Sequence, residues 1–385
     1  MVFLSACAAA RTNTGGVQGP PVSLEARAPY NAASRGVGAG PAGQEIPKAL
    51  LHDLQVAVLP VENLSGAPAP LKEIRGLLSD GLKARGLKVL DEKSLEQFMA
   101  SYRMRYAGGI DEAAARALRE QTGTGAAVIS SLELYDDTVP PKIALTSRLV
   151  STGNPPVILW METAGMAGDD SPGLLDLGMI EDSRVLLRKV VRSLFGSLPD
   201  SLPGRDRGDS SVGAGRIFRP KVSYRSPAMA PGAPHTLAVV PFLNQSTRKN
   251  AGEILMLHFV REMTRAENIR VVEPGAVRRE FLTHRIIMDD GMSLADADAV
   301  LGALDADLLL TGKVLDYQDY QGSAGAPVVD FSLVMIERKS REVVWSSRSD
   351  NRGTDGVWFF DIGRERTASS MAFGMARSIR QRMGY

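Results

Sequence analysis

One stretch of this chain returns, in altered form and in the same order, about 180 residues later. Val56-Ala57-Val58-Leu59-Pro60-Val61-Glu62-Asn63 recurs as Leu237-Ala238-Val239-Val240-Pro241-Phe242-Leu243-Asn244, an offset of 181. Leu87-Lys88-Val89-Leu90-Asp91 recurs as Ile269-Arg270-Val271-Val272-Glu273 at an offset of 182. Gly109-Ile110 and Tyr135 match Gly291-Met292 and Tyr317 at that same 182, and Ile158-Leu159-Trp160 matches Val343-Val344-Trp345 at 185. Register kept through ordered anchors with the drift absorbed in loops is the mark of a tandem duplication. Whatever fold the first unit adopts, the chain must adopt twice.

The 385 residues accordingly divide into related units at 48–197 and 235–385. The 38 glycines and 22 prolines are unevenly placed. Residues 8–47, rich in Gly, Pro, Ala and Ser without apolar periodicity, read as a disordered tether, and 198–234 as an interdomain linker. A formal GxGxxG at Gly38–Gly43 lies in that tether with a proline inside and no flanking strand or helix, so it is linker and not a dinucleotide fingerprint.

Each unit has one order of elements. A Val/Leu strand (54–59 and 236–242) closes at a proline, which lacks the N–H to continue a ladder. A helix follows, with Leu71, Ile74, Leu78 and Leu82, or Met256, Phe259, Val260 and Met263, on one face. A short strand and two helical stretches come next. A third strand (126–134 and 307–316) then leads into a hairpin, the second arm of which carries Trp160 or Trp345. The first arm alternates, Ile143, Leu145, Ser147, Leu149 and Val329, Phe331, Leu333, Met335, which predicts a strand buried on one face only in both units. A final helix carries Leu187, Val190, Val191 and Leu194, or Met371, Met375, Ile379 and Met383, the methionines reading as core filler. The expected fold class is α/β in layers, two tandem domains with a mixed sheet of about five strands each.

Several functions are excluded by composition. Lys+Arg 45 against Asp+Glu 44 leaves a net charge of +1, so nothing draws the whole chain to nucleic acid. One cysteine, Cys7, rules out an intrachain disulfide, a CxxC pair and a cysteine zinc site. The four histidines show no HxH or HExxH spacing, and His258 and His284 read as structural or surface residues. Neither GxSxG nor GxxxxGK[ST] occurs. Asp136/Asp137 and Asp316/Asp319 recur after the third strand, where a solvated loop is favoured over a paired-carboxylate or cation site. Asp289-Asp290-Gly291 lacks a calcium-loop ladder. Asn63-Leu64-Ser65 and Asn244-Gln245-Ser246 fit a glycosylation sequon, but Asn suits the turn that follows each proline. The expectation is no metal and no cofactor. Trp358, Phe359 and Phe360 cannot all point inward from one loop, and are expected to form part of an exposed partner contact.

Leu4-Ser5-Ala6-Cys7 resembles the bacterial lipobox. That resemblance implies a lipid anchor on Cys7, with residues 1–7 the end of a truncated signal, and Ala8 after the cysteine implies an outer-membrane address. The runs VAVLPVENLSG, GAAVISSLELYDD and SRLVSTGNPPVILW, with Pro241-Phe242-Leu243-Asn244, Ala306-Asp307 through Gly312-Lys313-Val314, and Glu342 to Trp345, resemble the N-terminal domain of TolB and its relatives CsgG and LpoB. The first unit departs from that pattern at Val61 and Gly125. The resemblance covers about 290 residues and carries no catalytic signature. It implies a non-catalytic, periplasm-facing outer-membrane lipoprotein whose two domains bind envelope proteins, with homo-oligomerisation open. The alternative is a soluble small-ligand binder or an enzyme with its site between the two units, which would need convergent polar groups there.

Overall fold

The structure, a computed structural model, describes residues 54–105, 107–170, 178–198, 218–229, 232–322, 325–355, 357 and 363–385. Cys7, the segment 8–47 and Trp358–Phe360 lie outside the described residues.

The first repeat runs β1 (Gln55–Val58), β2 (Glu62–Asn63), α1 (Leu71–Lys83), β3 (Lys88–Val89), α2 (Glu92–Ser101), α3 (Glu112–Thr122), β4 (Ala126–Asp136), β5 (Lys142–Ser151), β6 (Ile158–Ala167) and α4 (Ser183–Leu194). After β7 (Val222–Arg225), the second repeat runs β8 (His235–Val239), β9 (Leu243–Asn244), α5 (Ala251–Thr264), β10 (Ile269–Val271), α6 (Pro274–His284), α7 (Leu294–Ala303), β11 (Leu308–Gln318), β12 (Val328–Glu337), β13 (Val343–Arg352) and α8 (Ala368–Met383). Six of these helices begin where a polar side chain accepts an orphan N–H. Asp91, Asp111, Asp182, Glu273, Ser293 and Thr367 each cap a helix this way.

Each repeat builds one mixed sheet. The orders are β3-β1-β4-β5-β6, with β2 beside β4, and β10-β8-β11-β12-β13-β7, with β9 beside β11. The first strand pairs parallel with both neighbours, and the long hairpin is antiparallel. The sheets thus have six and seven strands, against about five expected. The extra strands are the two-residue β2 and β9 and the edge strand β7. β7 lies in the stretch expected to be linker throughout, and Phe218 and Met229 beside it are buried. Val222-Ser223-Tyr224-Arg225 is too short for periodicity to show, and its ladder to β13 is what makes it a strand.

The layers run in series. Helices α1 and α4 cover one face of the first sheet, packing Ile74, Leu78, Leu187 and Val190 on Val58, Leu145 and Leu149. The opposite face of that sheet receives α5 and α8 from the second repeat, which also carry the second sheet. The largest apolar cluster therefore draws on both repeats, Leu59, Phe98 and Ile129 joining Phe242, Phe259 and Met375. Lying between two sheets, α5 is buried on almost every side, and its sequence AGEILMLHFVREMT lacks a polar face. Beyond the second sheet, α6 and α7 cover only the β8–β11 part, through Val277, Val300 and Leu301 on Ala238 and Leu309.

This stacking overturns one sequence expectation. β12 alternates buried and part-exposed residues as expected, but β5 is buried at nine successive positions. Both strands have the same apolar period. Only β5 has a second layer over its polar side.

Candidate functional site

The face of β4, β5 and β6 that meets the second repeat bears Glu133, Thr146, Arg148 and Thr163, with Glu162 beside it. Strand alternation puts Glu133, Thr146, Arg148 and Thr163 opposite the α1/α4 layer, while Glu162 reaches the seam from the edge of β6. They would be a solvated surface in an isolated domain. Here they form a buried seam of charged groups between the repeats.

Three clusters make the seam. In the first, the Arg148 guanidinium donates to Glu273 Oε1 from Nε at 3.1 Å and from Nη2 at 2.8 Å, and Nη2 also donates to the Gly108 carbonyl at 2.7 Å. Glu273, the cap of α6, also accepts from the Ile110 N–H at 3.3 Å and from the Gly275 N–H. Both side chains are 1% exposed or less, so bulk solvent reaches neither charge. Burial pushes the Glu273 carboxyl above its ordinary value, and Arg148 recovers only part of that.

In the second cluster Glu133 accepts from Thr146 Oγ1 across the sheet and from Ser369 Oγ of α8 at 2.7 Å, and His258 Nε2 of α5 lies 3.3 Å from its Oε2. Burial pushes this carboxyl up, but the attraction of His258 and the three donors outweigh it and hold it below its ordinary value. In the third, Glu162 accepts from Arg261 at 3.0 Å, Arg265 at 2.9 Å, Ser197 Oγ at 2.9 Å and the Thr163 N–H at 3.1 Å. Arg261 continues to Glu262, which binds Arg380 at 3.2 Å, and its guanidinium lies over the Phe373 ring at 4.1 Å. Around the rim, Arg248 donates to the Ser65 and Glu133 carbonyls, Lys142 to the Tyr320 carbonyl, and Arg366 to Asp169 at 2.7 Å.

In chemical terms the seam is occupied. Its carboxylates face guanidinium, hydroxyl and N–H donors from both repeats, an arrangement that fixes register between two layers and satisfies the carboxylate oxygens within the protein. Among the described residues no group of three or more His, Cys, Asp or Glu could hold a metal ion. A shallow cavity of about 260 Å³ borders the third cluster at the ends of α5 and α8, lined by Arg265, Asn268, Arg380 and Tyr385. Burial pushes the Tyr385 phenol up to about 12. No helix among the described residues is long and apolar enough to cross a membrane.

Of the residues singled out in the sequence, Cys7 and Trp358, Phe359 and Phe360 lie outside the described residues. Asp136 caps the turn to Thr138, and Gln318 donates to Asp316. Asp319 departs from the solvated loop expected of it: it is half-buried and accepts from the Ala368 N–H at 2.6 Å, and desolvation raises its carboxyl above the ordinary value despite that bond. His284 sits on the surface 3.6 Å from Glu280, whereas His258 is fully buried in the seam. Asn63 and Asn244 each accept from the hydroxyl and N–H of the serine two residues on, the turn role expected of them. Met371, Met375 and Met383 are fully buried. Sequence reasoning missed Glu133, Glu162, Arg148 and Glu273. The available signal was α5, whose all-round apolar sequence requires a second layer.

Comparison with known proteins gives no matching family model and no matching curated protein. Solved structures do resemble the chain. The PelC dodecamer from Paraburkholderia phytofirmans is 19% identical, with 42% of this chain matching 94% of that one at a TM-score of 0.29. The lipoprotein GNA1162 from Neisseria meningitidis is 20% identical, with 38% of this chain matching 99% of that one at 0.29. The C-terminal domain of LpoB from Salmonella enterica is 16% identical, with 31% matching 83% at 0.24. Each neighbour is thus matched over most of its length by less than half of this chain.

Proposed function

We propose that the chain is a non-catalytic lipoprotein of the bacterial envelope, anchored through Cys7 to the outer membrane and facing the periplasm, in which two TolB N-terminal/CsgG-like domains act as one rigid protein-interaction body. The observation that carries the non-catalytic half is the seam. A ligand site between the repeats would need polar groups that converge on open space. The charged groups found there converge on one another, and α5 and α8 fill the space. The anchored half rests on Leu4-Ser5-Ala6-Cys7, with the long Gly/Pro-rich stretch 8–47 as the tether. Fully extended, about 40 residues reach on the order of 130 Å, enough to hold a folded body well clear of a bilayer.

The test is fractionation of cells expressing the gene with its natural upstream sequence. The wild-type chain is expected in the outer-membrane fraction, with acyl chains on Cys7 by mass spectrometry, and Cys7→Ser in the soluble fraction. A wild-type chain that is soluble and unacylated defeats the reading. Trp358, Phe359 and Phe360 are proposed as partner contacts. Replacing all three by Ser is expected to remove envelope proteins crosslinked to the wild type while leaving membrane attachment intact.

A further inference from the structure

Beyond the part that α6 and α7 cover, the face of the second sheet that corresponds to the seam has no layer over it among the described residues. In the first sheet α5 and α8 cover it. In the second, Asp330, Ser332 and Val334 of β12, Ser346 and Asp350 of β13 and Asp316 of β11 are only part-buried, while Lys313, Arg348, Val222 and Tyr224 are exposed. The register sorts these side chains into rows across the strands. Lys313, Ser332 and Arg348 stand side by side, and next to them Asp316, Asp330 and Asp350. A basic row thus runs beside an acidic row, about 7 Å apart along the strand. On the other flank, Thr311, Val334, Ser346 and Tyr224 make a nearly neutral row.

We infer that this face is the contact between two copies of the chain, packed sheet to sheet about a two-fold axis. Such an axis, lying in the contact plane between the two rows, sets the basic row of one copy over the acidic row of the other. Lys313 then faces Asp316 of the second copy, and Arg348 faces Asp350. An isologous contact requires this kind of self-complementarity. Within one chain the acidic row is partly served already, by Arg348 on Asp330 at 3.2 Å and Lys221 on Asp350. The Lys313 side chain has no ion pair or hydrogen bond among the described residues, and the second copy supplies its partner.

Repeating the internal stacking would instead bring the α1/α4 layer of a second copy onto this face. That arrangement matches charge less closely. Lys83, Arg184, Arg188, Lys189 and Arg192 are exposed on that layer and would meet the basic row as well as the acidic one, whereas the two-fold contact sets each row over its opposite. Four strands at ~4.8 Å spacing and about seven residues of length give a plane of roughly 450 Å² before side-chain relief, short of the ~800 Å² per partner of a standard interface. The dimer should therefore be reversible and salt-sensitive. The inference is independent of the envelope reading, because it concerns the purified chain alone.

The experiment is sedimentation velocity of the full chain from about 1 to 200 μM, across the range where a ~10 μM dimer would form. A reversible monomer–dimer equilibrium is expected, weakened by high salt. Lys313→Asp or Asp316→Lys alone should weaken it at least ~10-fold, the two together should restore it, and Arg188→Glu should leave it unchanged. Circular dichroism and thermal melting check that each variant stays folded. A chain monomeric throughout overturns the inference, as does a dimer indifferent to Lys313→Asp. Loss of association in Arg188→Glu would establish head-to-tail stacking in its place, and failure of the double swap to restore would overturn the row pairing.

Discussion

β5 and β12 are the same strand in two repeats, and they have different fates. Both put four residues of an alternating series toward a helical layer. On the other side, β5 carries Thr146 and Arg148 into a seam closed to bulk solvent, while β12 carries Ser332 and Val334 onto an open face. A hairpin strand's sequence therefore specifies one face. The second face is specified by what the chain later lays upon it. The arginine is the informative difference: Arg148 is 1% exposed and tied to Glu273, and the corresponding β12 residue is Val334, with no charge to satisfy.

That contrast can be broken most directly at those two positions. Arg148→Ala strands a buried carboxylate and is expected to cost about 3–5 kcal/mol in urea denaturation, against less than about 1 kcal/mol for Val334→Ala. The joint replacement Arg148→Met with Glu273→Leu should recover most of that loss, because a buried pair is expensive chiefly when one partner is missing. Equal losses in Arg148→Ala and Val334→Ala would mean that the seam is no more buried than the open face.

Gly275 gives a second, smaller test. A Cβ there would lie 2.2 Å from the Ile110 backbone nitrogen of the other repeat, and backbone cannot move aside cheaply. Gly275→Ala should cost about 1–3 kcal/mol, whereas Gly302→Ala on α7, which meets nothing within 4 Å, should be neutral or slightly stabilising. Next in size, Thr146→Val removes a donor to buried Glu133 and should cost about 1–3 kcal/mol, and Ser332→Val on the open face should change stability by less than about 0.5 kcal/mol. Denaturation midpoints at constant m-value decide each pair.

The smallest effects are expected in the pH profile. The Glu133 carboxyl lies below its ordinary 4.5, so its contribution is fully present above that pH and is lost as the pH falls through its folded value. Glu133→Gln should flatten the acid limb below pH 4.5. Asp319 has the opposite sign. Burial raises it above its ordinary 3.8, so a penalty develops as the pH rises from there through its folded value. Asp319→Asn keeps an acceptor for Ala368 and should remove that penalty. An acid limb unchanged in Glu133→Gln would show that this carboxyl does not sense the second repeat.

Much of the fold is legible along the chain for local reasons. Pro60 and Pro241 follow the strands they close, two residues beyond the last ladder position, and the leucines of α1 face the sheet at helical spacing. Trp160 and Trp345 lie on matching strands. The seam is illegible for a reason equally physical. Arg148 and Glu273 are 125 residues apart, and each stands where its own element would face solvent. Only α5 betrays the arrangement, because a helix with Leu255, Leu257 and Phe259 around its circumference has no side to give to water. β7 is hidden differently, as four residues inside a Pro/Gly-rich stretch made a strand by its neighbour.

The polar character of the first repeat's inner face also matters while the chain is being made. Synthesis runs from the N-terminus, so β4, β5 and β6 are complete before α5 and α8 exist to cover them. The Thr146, Arg148, Glu133 and Thr163 part of that face can wait in water, and it interrupts the apolar part around Ile129 and Val150 that would seek any partner. The carboxylate of Glu162, bonded to the N–H of Thr163 on the outermost strand of its sheet, places charge at an edge where an unwanted strand could add. The charges that make the finished interface costly to break thus keep its unfinished half soluble.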